Sequence, residues 1–138
     1  MDETQLVDAV LEMERLAREL MPLLLHGNDP RMELLRLQYQ EASVAISDAS
    51  LHGFYADISV PANAIRVEEP DHGAGDAVIP VKGEKHPAGC ILYVVEGVLK
   101  FLEVYNHTAW VRPPVFETPN HIQPFVFKAS AASPGQGA

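Results

Sequence analysis

The sequence predicts an α+β domain: an N-terminal helical hairpin packed on an antiparallel β-sheet of four to six strands. Three observations carry this. Apolar residues recur at helical spacing through residues 2–40, and the period then drops to two from residue 44. Farther along, two apolar runs flank Glu96-Gly97, a two-residue connection suited to a tight hairpin, which makes the sheet antiparallel.

The first helix is expected over residues 2–25. Asp2 can cap its first turn, and Gln5 three residues on completes a capping box. Leu6, Val10, Met13, Ala17, Leu20 and Leu24 step by four and three, a heptad seam facing one partner. Glu14 and Arg18 stand at the favourable i,i+4 spacing for a surface ion pair. Pro22 should kink or fray the last turn, and Gly27 can take the left-handed conformation that ends the helix. A second start follows at once. Asp29 caps, Pro30 fits the first helical position, and Met32, Leu35 and Tyr39 carry the apolar stripe to about Gln40.

Val44 and Ile46 then alternate with small polar residues, and Asp48-Ala49-Ser50 reads as a turn. Phe54, Ala56, Ile58 and Val60 share one face of a strand, with Tyr55, Asp57 and Ser59 on the other, until Pro61 stops the ladder. Residues 61–75 read as an acidic loop loosened by Gly73 and Gly75, and Ala77-Val78-Ile79 as a short strand that Pro80 interrupts or places on an edge. The hairpin occupies residues 90–105. In its second strand Leu99, Phe101, Glu103 and Tyr105 are expected on one face, and Val98, Lys100, Leu102 and Val104 on the other. Four prolines between Trp110 and Phe127 make regular structure sporadic there, with a strand expected at Val115-Phe116 or around Phe125.

The chain has 138 residues, 47% of them apolar, enough for one core. We read residues 1–128 as a single domain, helical over 1–41 and sheet over 42–128, with 129–138 as a loose tail rich in small residues. Charge is lopsided. Thirteen acids face five arginines in residues 1–69, while six acids face five bases in 70–138. The formal net charge of −9 opposes phosphate backbones and anionic lipid, so neither nucleic acid nor membrane is the expected partner. One cysteine, Cys90, cannot form an internal disulfide, and the N-terminus lacks the basic start of a secretory signal; both fit a cytoplasmic protein.

Chemistry-bearing motifs are few. No histidine pairs with another histidine or with Cys90 at metal-ligand spacing, so neither a metal nor another cofactor is expected. His72 beside Asp71 and His86 beside Glu84 are the first places a cation could sit. No Gly-x-Ser-x-Gly elbow occurs, Cys90 opens an apolar strand, and Gly73-Ala74-Gly75 lacks the frame of a phosphate loop. Asp57 and Glu103 are the one pair of carboxylates on strand faces that also carry aromatic rings. With Tyr55, Tyr105 and Trp110 they form the candidate binding face, and beside rings a carboxylate can serve as an acid or base. The seam Leu6, Val10, Met13, Ala17 and Leu20, widened by Val7, Leu11, Leu16, Leu23 and Leu25, exceeds what a short second helix covers. It suits a homodimer across a two-fold axis.

Gly53-Phe54-Tyr55-Ala56-Asp57-Ile58-Ser59-Val60-Pro61, the run from Gly89 to Gly97, and Leu102-Glu103-Val104-Tyr105 form a further pattern. It resembles a small domain found in uncharacterised bacterial proteins, over about fifty of the 138 residues. His86-Pro87-Ala88 departs from that pattern's smaller lead-in, and Val104 stands where it often has glycine. The resemblance implies an α+β fold with an antiparallel sheet and brings no activity. From the residues, we expect a non-enzymatic binding domain, such as an acidic inhibitor or immunity-type protein that neutralises a basic partner. The alternative is a small-molecule or acid/base site around Asp57 and Glu103.

Overall fold

The computed structural model describes residues 2–68 and 74–127. Two helices, α1 (Glu3–Leu24) and α2 (Pro30–Gln40), precede six strands: β1 (Ser43–Ser50), β2 (Gly53–Ser59), β3 (Ala74–Ile79), β4 (Ala88–Val95), β5 (Val98–Tyr105) and β6 (Asn120–Val126). They form one antiparallel sheet in the order β1-β2-β5-β4-β3-β6. This is the α+β class that the periodicity implies.

The capping box forms as spaced. The Asp2 carboxylate accepts from the Gln5 N–H at 2.8 Å, and the Gln5 side chain accepts from the Asp2 N–H at 3.0 Å. Helix α1 continues through Pro22 to Leu24. The proline removes one ladder bond near the end, and the Leu25 N–H still donates to Met21 O at 2.9 Å. Asp29 caps α2 by accepting from the Arg31 N–H. The hairpin of helices is a loose one. Helix α1 packs on β1, β2, β3 and β6, whereas α2 packs on β5, so the sheet rather than the other helix covers most of each apolar stripe.

One face of the sheet and both helices share a single core. Met13, Leu16, Ala17, Leu20 and Leu24 of α1 meet Phe54, Ala56, Leu92, Leu99, Leu102 and Val104 of the strands, all buried. Met13, Ala17 and Leu20 therefore fill the chain's own core and are closed to a second copy. The heptad spacing marks the stripe that lies on the sheet, which periodicity alone does not distinguish from a dimer seam.

Glu96 and Gly97 both take positive φ, as a tight hairpin with right-handed twist requires. A Cβ on Gly97 would also sit 2.4 Å from Val67 O, in the loop that crosses the hairpin end. The pairing shifts beyond Tyr93↔Phe101 to Val94↔Leu99, leaving Lys100 as the extra residue of a bulge. That bulge turns Leu99 into the core with Leu102 and Val104, away from the face where plain alternation from Phe101 and Glu103 puts it. Another irregularity replaces the turn expected at Asp48-Ala49-Ser50. Asp48 adopts φ 50°, the register shifts between Ser47 and Ser50, and β1 runs on to Ser50 before turning.

Ala74 and Gly75 begin β3 rather than ending a loop. The late strand is β6, with Pro124 inside it, while Val115-Phe116 contributes only a bridge between Val81 and Phe116. The tail at 129–138, and Asp71 and His72, lie outside the described residues. Among the described residues no helix is long and apolar enough to cross a membrane.

Candidate functional site: the open face of the sheet

Alternation sends every second strand residue away from the helices. On this second face the register lines up three rows. Ser47, Tyr55, Glu103, Ile91, Asp76 and Gln123 form one. Ala45, Asp57, Phe101 and Tyr93 form the next, and Gly53, Tyr105, Gly89, Val78 and Asn120 the third. Both helices belong to the core on the opposite side. The rings here are half-buried by one another and by the sheet, on the side away from α1 and α2.

Glu103 is the centre of the arrangement. Tyr93 donates its hydroxyl to Oε1 at 3.2 Å, and Tyr55 donates to Oε2 at 3.4 Å. Phe101 lies between the two tyrosines, edge-on to Tyr55 with centroids at 5.4 Å and nearly stacked on Tyr93 at 4.5 Å. The Glu103 charge, followed by desolvation, holds the Tyr55 phenol above its ordinary pKa. For Tyr93 the order reverses: burial raises the phenol first and Glu103 second. Gly89 lets the Tyr105 ring lie across the strand beside it, since a Cβ there would meet the ring 2.6 Å away.

Four of the five expected face residues, Tyr55, Asp57, Glu103 and Tyr105, fall on this surface, with Asp57 exposed. Trp110 does not. It is 2% exposed, on the helix side, edge-on to Phe116 at 5.6 Å, and Phe116 in turn packs against Phe54. Residues 106–110 return along the β1–β2 turn, with the Asn106 N–H donating to His52 O and the Trp110 N–H to Leu51 O, both at 2.8 Å. That route carries the indole over the end of the core. Phe101 stands on the Glu103 face, as alternation predicts, and two further neighbours, Tyr93 and Asp76, were missed by the sequence reading. Cross-strand register, once the hairpin is assumed, would have found Tyr93.

A depression of about 180 Å³ opens between β1, β2 and β5, lined by Asp48, Ser50, His52, Tyr55, Glu103 and Tyr105 among others. No family model, curated protein or solved structure matches the chain. Among the described residues no three His, Cys, Asp or Glu side chains group as metal ligands. Cys90 is buried, and burial pushes its thiol up to about 12, so it is packing rather than a nucleophile. Glu84 accepts from the Val111 N–H at 2.9 Å, which gives it a role in holding the Trp110 loop.

Charged side chains on α1 hold that loop from the other side. The expected Glu14–Arg18 pair is not formed. Instead Arg15 bridges Glu12 and Glu19 at 2.9 and 2.8 Å and also donates to Phe116 O at 3.0 Å, while Glu12 accepts from the Phe116 N–H at 2.8 Å. The Arg15 hydrogen bond keeps the Glu12 carboxyl below its ordinary pKa against a smaller opposing effect of burial.

Proposed function

We propose that this chain is a non-enzymatic binding domain, an acidic inhibitor or immunity-type protein, working in the cytoplasm as a homodimer. Its open sheet face receives a basic protein partner. One observation carries the reading: the three rows of that face hold Asp57, Asp76 and Glu103 and no lysine or arginine, with Tyr55, Tyr93, Phe101 and Tyr105 between them. Rings whose faces attract cations, set beside carboxylates, suit lysine and arginine side chains on a partner. Tyrosine also supplies large contact area at low entropic cost. The chain's −9 charge would speed encounter with such a partner and make the rate salt-dependent.

A second reading, acid/base chemistry at Glu103, draws on the two phenols bonded to its carboxylate. The adjoining depression of 180 Å³ is smaller than the roughly 300 Å³ at which small-molecule sites begin. That favours a docked protein surface over an enclosed substrate. The test is affinity capture from the native host with wild-type protein and the Asp57→Asn/Asp76→Asn/Glu103→Gln variant, at low and high salt. Capture of a basic protein by wild type alone, released by salt, is the expected result. A complex indifferent to both salt and neutralisation would overturn the reading.

A further inference from the structure

We infer that two copies of this chain join through the free edge of β1, with the front turns of α1 laid over the partner copy. The inference rests on the homodimer proposed above and assigns its interface. The two edges of the sheet differ in how they are guarded. Strand β6 carries Pro124, a positive φ at His121 and two register shifts against β3, all features that spoil further pairing. Strand β1 is regular from Ser43 to Ser47, where it pairs with β2 without interruption, and carries no proline and no charge over that stretch. Among the described residues β1 pairs on one side only, and an eight-residue edge strand is a template for another strand unless its own residues block it, which nothing along 43–47 does.

Helix α1 supplies an independent observation at the same edge. Glu14 and Arg18 line a depression of about 500 Å³ together with Tyr39 and Val44, which places that part of α1 beside β1. The turns before it, residues 2–8, are exposed on every side, so the helix runs out past the edge of the sheet. Among the acids Asp2, Glu3 and Asp8 that stretch carries exposed apolar residues, Leu6 at 38% and Val7 at 57%, followed a turn later by Leu11 at 59%. A two-fold axis perpendicular to the sheet and beside β1 pairs the two β1 strands antiparallel. It also sends each overhanging helix across its partner's edge, where Val44 is exposed. One operation thus pairs the outer ladder of β1 and covers the apolar residues of the overhang, and the paired stretch 43–47 itself carries no charge. Leu6 and Val10 keep the interface role that the heptad spacing suggests, and Met13, Ala17 and Leu20 lose it.

Sedimentation equilibrium across micromolar concentrations tests this with wild type, Ala45→Lys, Val7→Glu and, on the opposite edge, Gln123→Lys. Wild type is expected as a dimer. Ala45→Lys and Val7→Glu should each weaken dimerisation at least about tenfold, while Gln123→Lys leaves it unchanged. All three positions are exposed, and unchanged melting of dilute monomer checks that each variant folds. A monomeric wild type would overturn both the homodimer and this interface. A wild-type dimer indifferent to Ala45→Lys and Val7→Glu would overturn the interface and leave the homodimer standing.

Discussion

The two faces of the sheet are written by alternate residues of the same strands, and they are finished differently. Phe54, Ala56, Leu102 and Val104 meet two helices and the Trp110–Phe116 segment, leaving almost nothing exposed. Their immediate neighbours Tyr55, Asp57, Glu103 and Tyr105 are half-buried or exposed, and meet one another and the nearby Tyr93, Phe101 and His107. On the first face the chain satisfies itself. The second keeps rings half-covered and carboxylates outward, a surface that another molecule can reach. Stability should therefore reside on one side and recognition on the other.

The sharpest break of that contrast compares two phenylalanines on neighbouring strands. Phe54 is 2% exposed and touches Phe116, whereas Phe101 is half-buried between tyrosines. Truncating Phe54→Ala should cost about 3–5 kcal/mol, and Phe101→Ala about 1–2 kcal/mol, measured by urea denaturation. Equal costs would mean that the second face is also a core, and its assignment to a partner would fail.

The covered face holds one buried polar side chain that can be removed to test how self-sufficient it is. Gln38 is 3% exposed. Its amide donates to Ile65 O and Gly97 O, and its oxygen accepts from the Leu99 N–H, each at 2.9 Å. This single side chain ties α2 to the hairpin end and to the loop crossing it. Gln38→Leu keeps the volume and strands the Leu99 N–H, so about 1–3 kcal/mol of stability should go. A neutral substitution would show that water or a shifted backbone replaces the amide.

How much of this was legible beforehand follows the range of the interactions. The Asp2–Gln5 capping box, the start at Asp29-Pro30 and the Glu96-Gly97 turn rest on residues within three positions of each other, and each lies where the spacing puts it. Tyr55, Asp57, Glu103 and Tyr105 share a face because period two survives within each strand. Leu99 escaped because one bulged residue, Lys100, inverts every side chain beyond it, and no local pattern announces a bulge. Trp110 escaped because its place depends on Glu12, Arg15 and Glu84, up to about a hundred residues away. Those charges look like a solvated helix face until the Phe116 backbone is seen between them.

Acid titration probes that anchoring. Because the Glu12 carboxyl is held below its ordinary value of 4.5 in the fold, the stability it contributes is complete above that value. It is lost as pH falls through the lower, folded value. Glu12→Gln should cost about 1 kcal/mol at neutral pH, and the gap to wild type should close on acidification. Parallel curves at every pH would show that Glu12 does not hold Phe116 by its charge.

The smallest effect belongs to the open face, and it is spectroscopic before it is energetic. The folded state keeps Tyr55 and Tyr93 neutral beyond the ordinary tyrosine value of 10.0. Their contribution is therefore present below that pH and lost as pH rises through the folded values. Glu103→Gln removes the main cause for Tyr55 and the lesser one for Tyr93. Ultraviolet titration should show Tyr55 falling back toward its ordinary value and Tyr93 moving only part of the way. Stability at neutral pH should stay within about 0.5 kcal/mol of wild type, as for a surface change away from the core. If Tyr55 titrates unchanged, its hydroxyl does not face Glu103, and the carboxylate is free to meet a partner directly rather than through its two phenols.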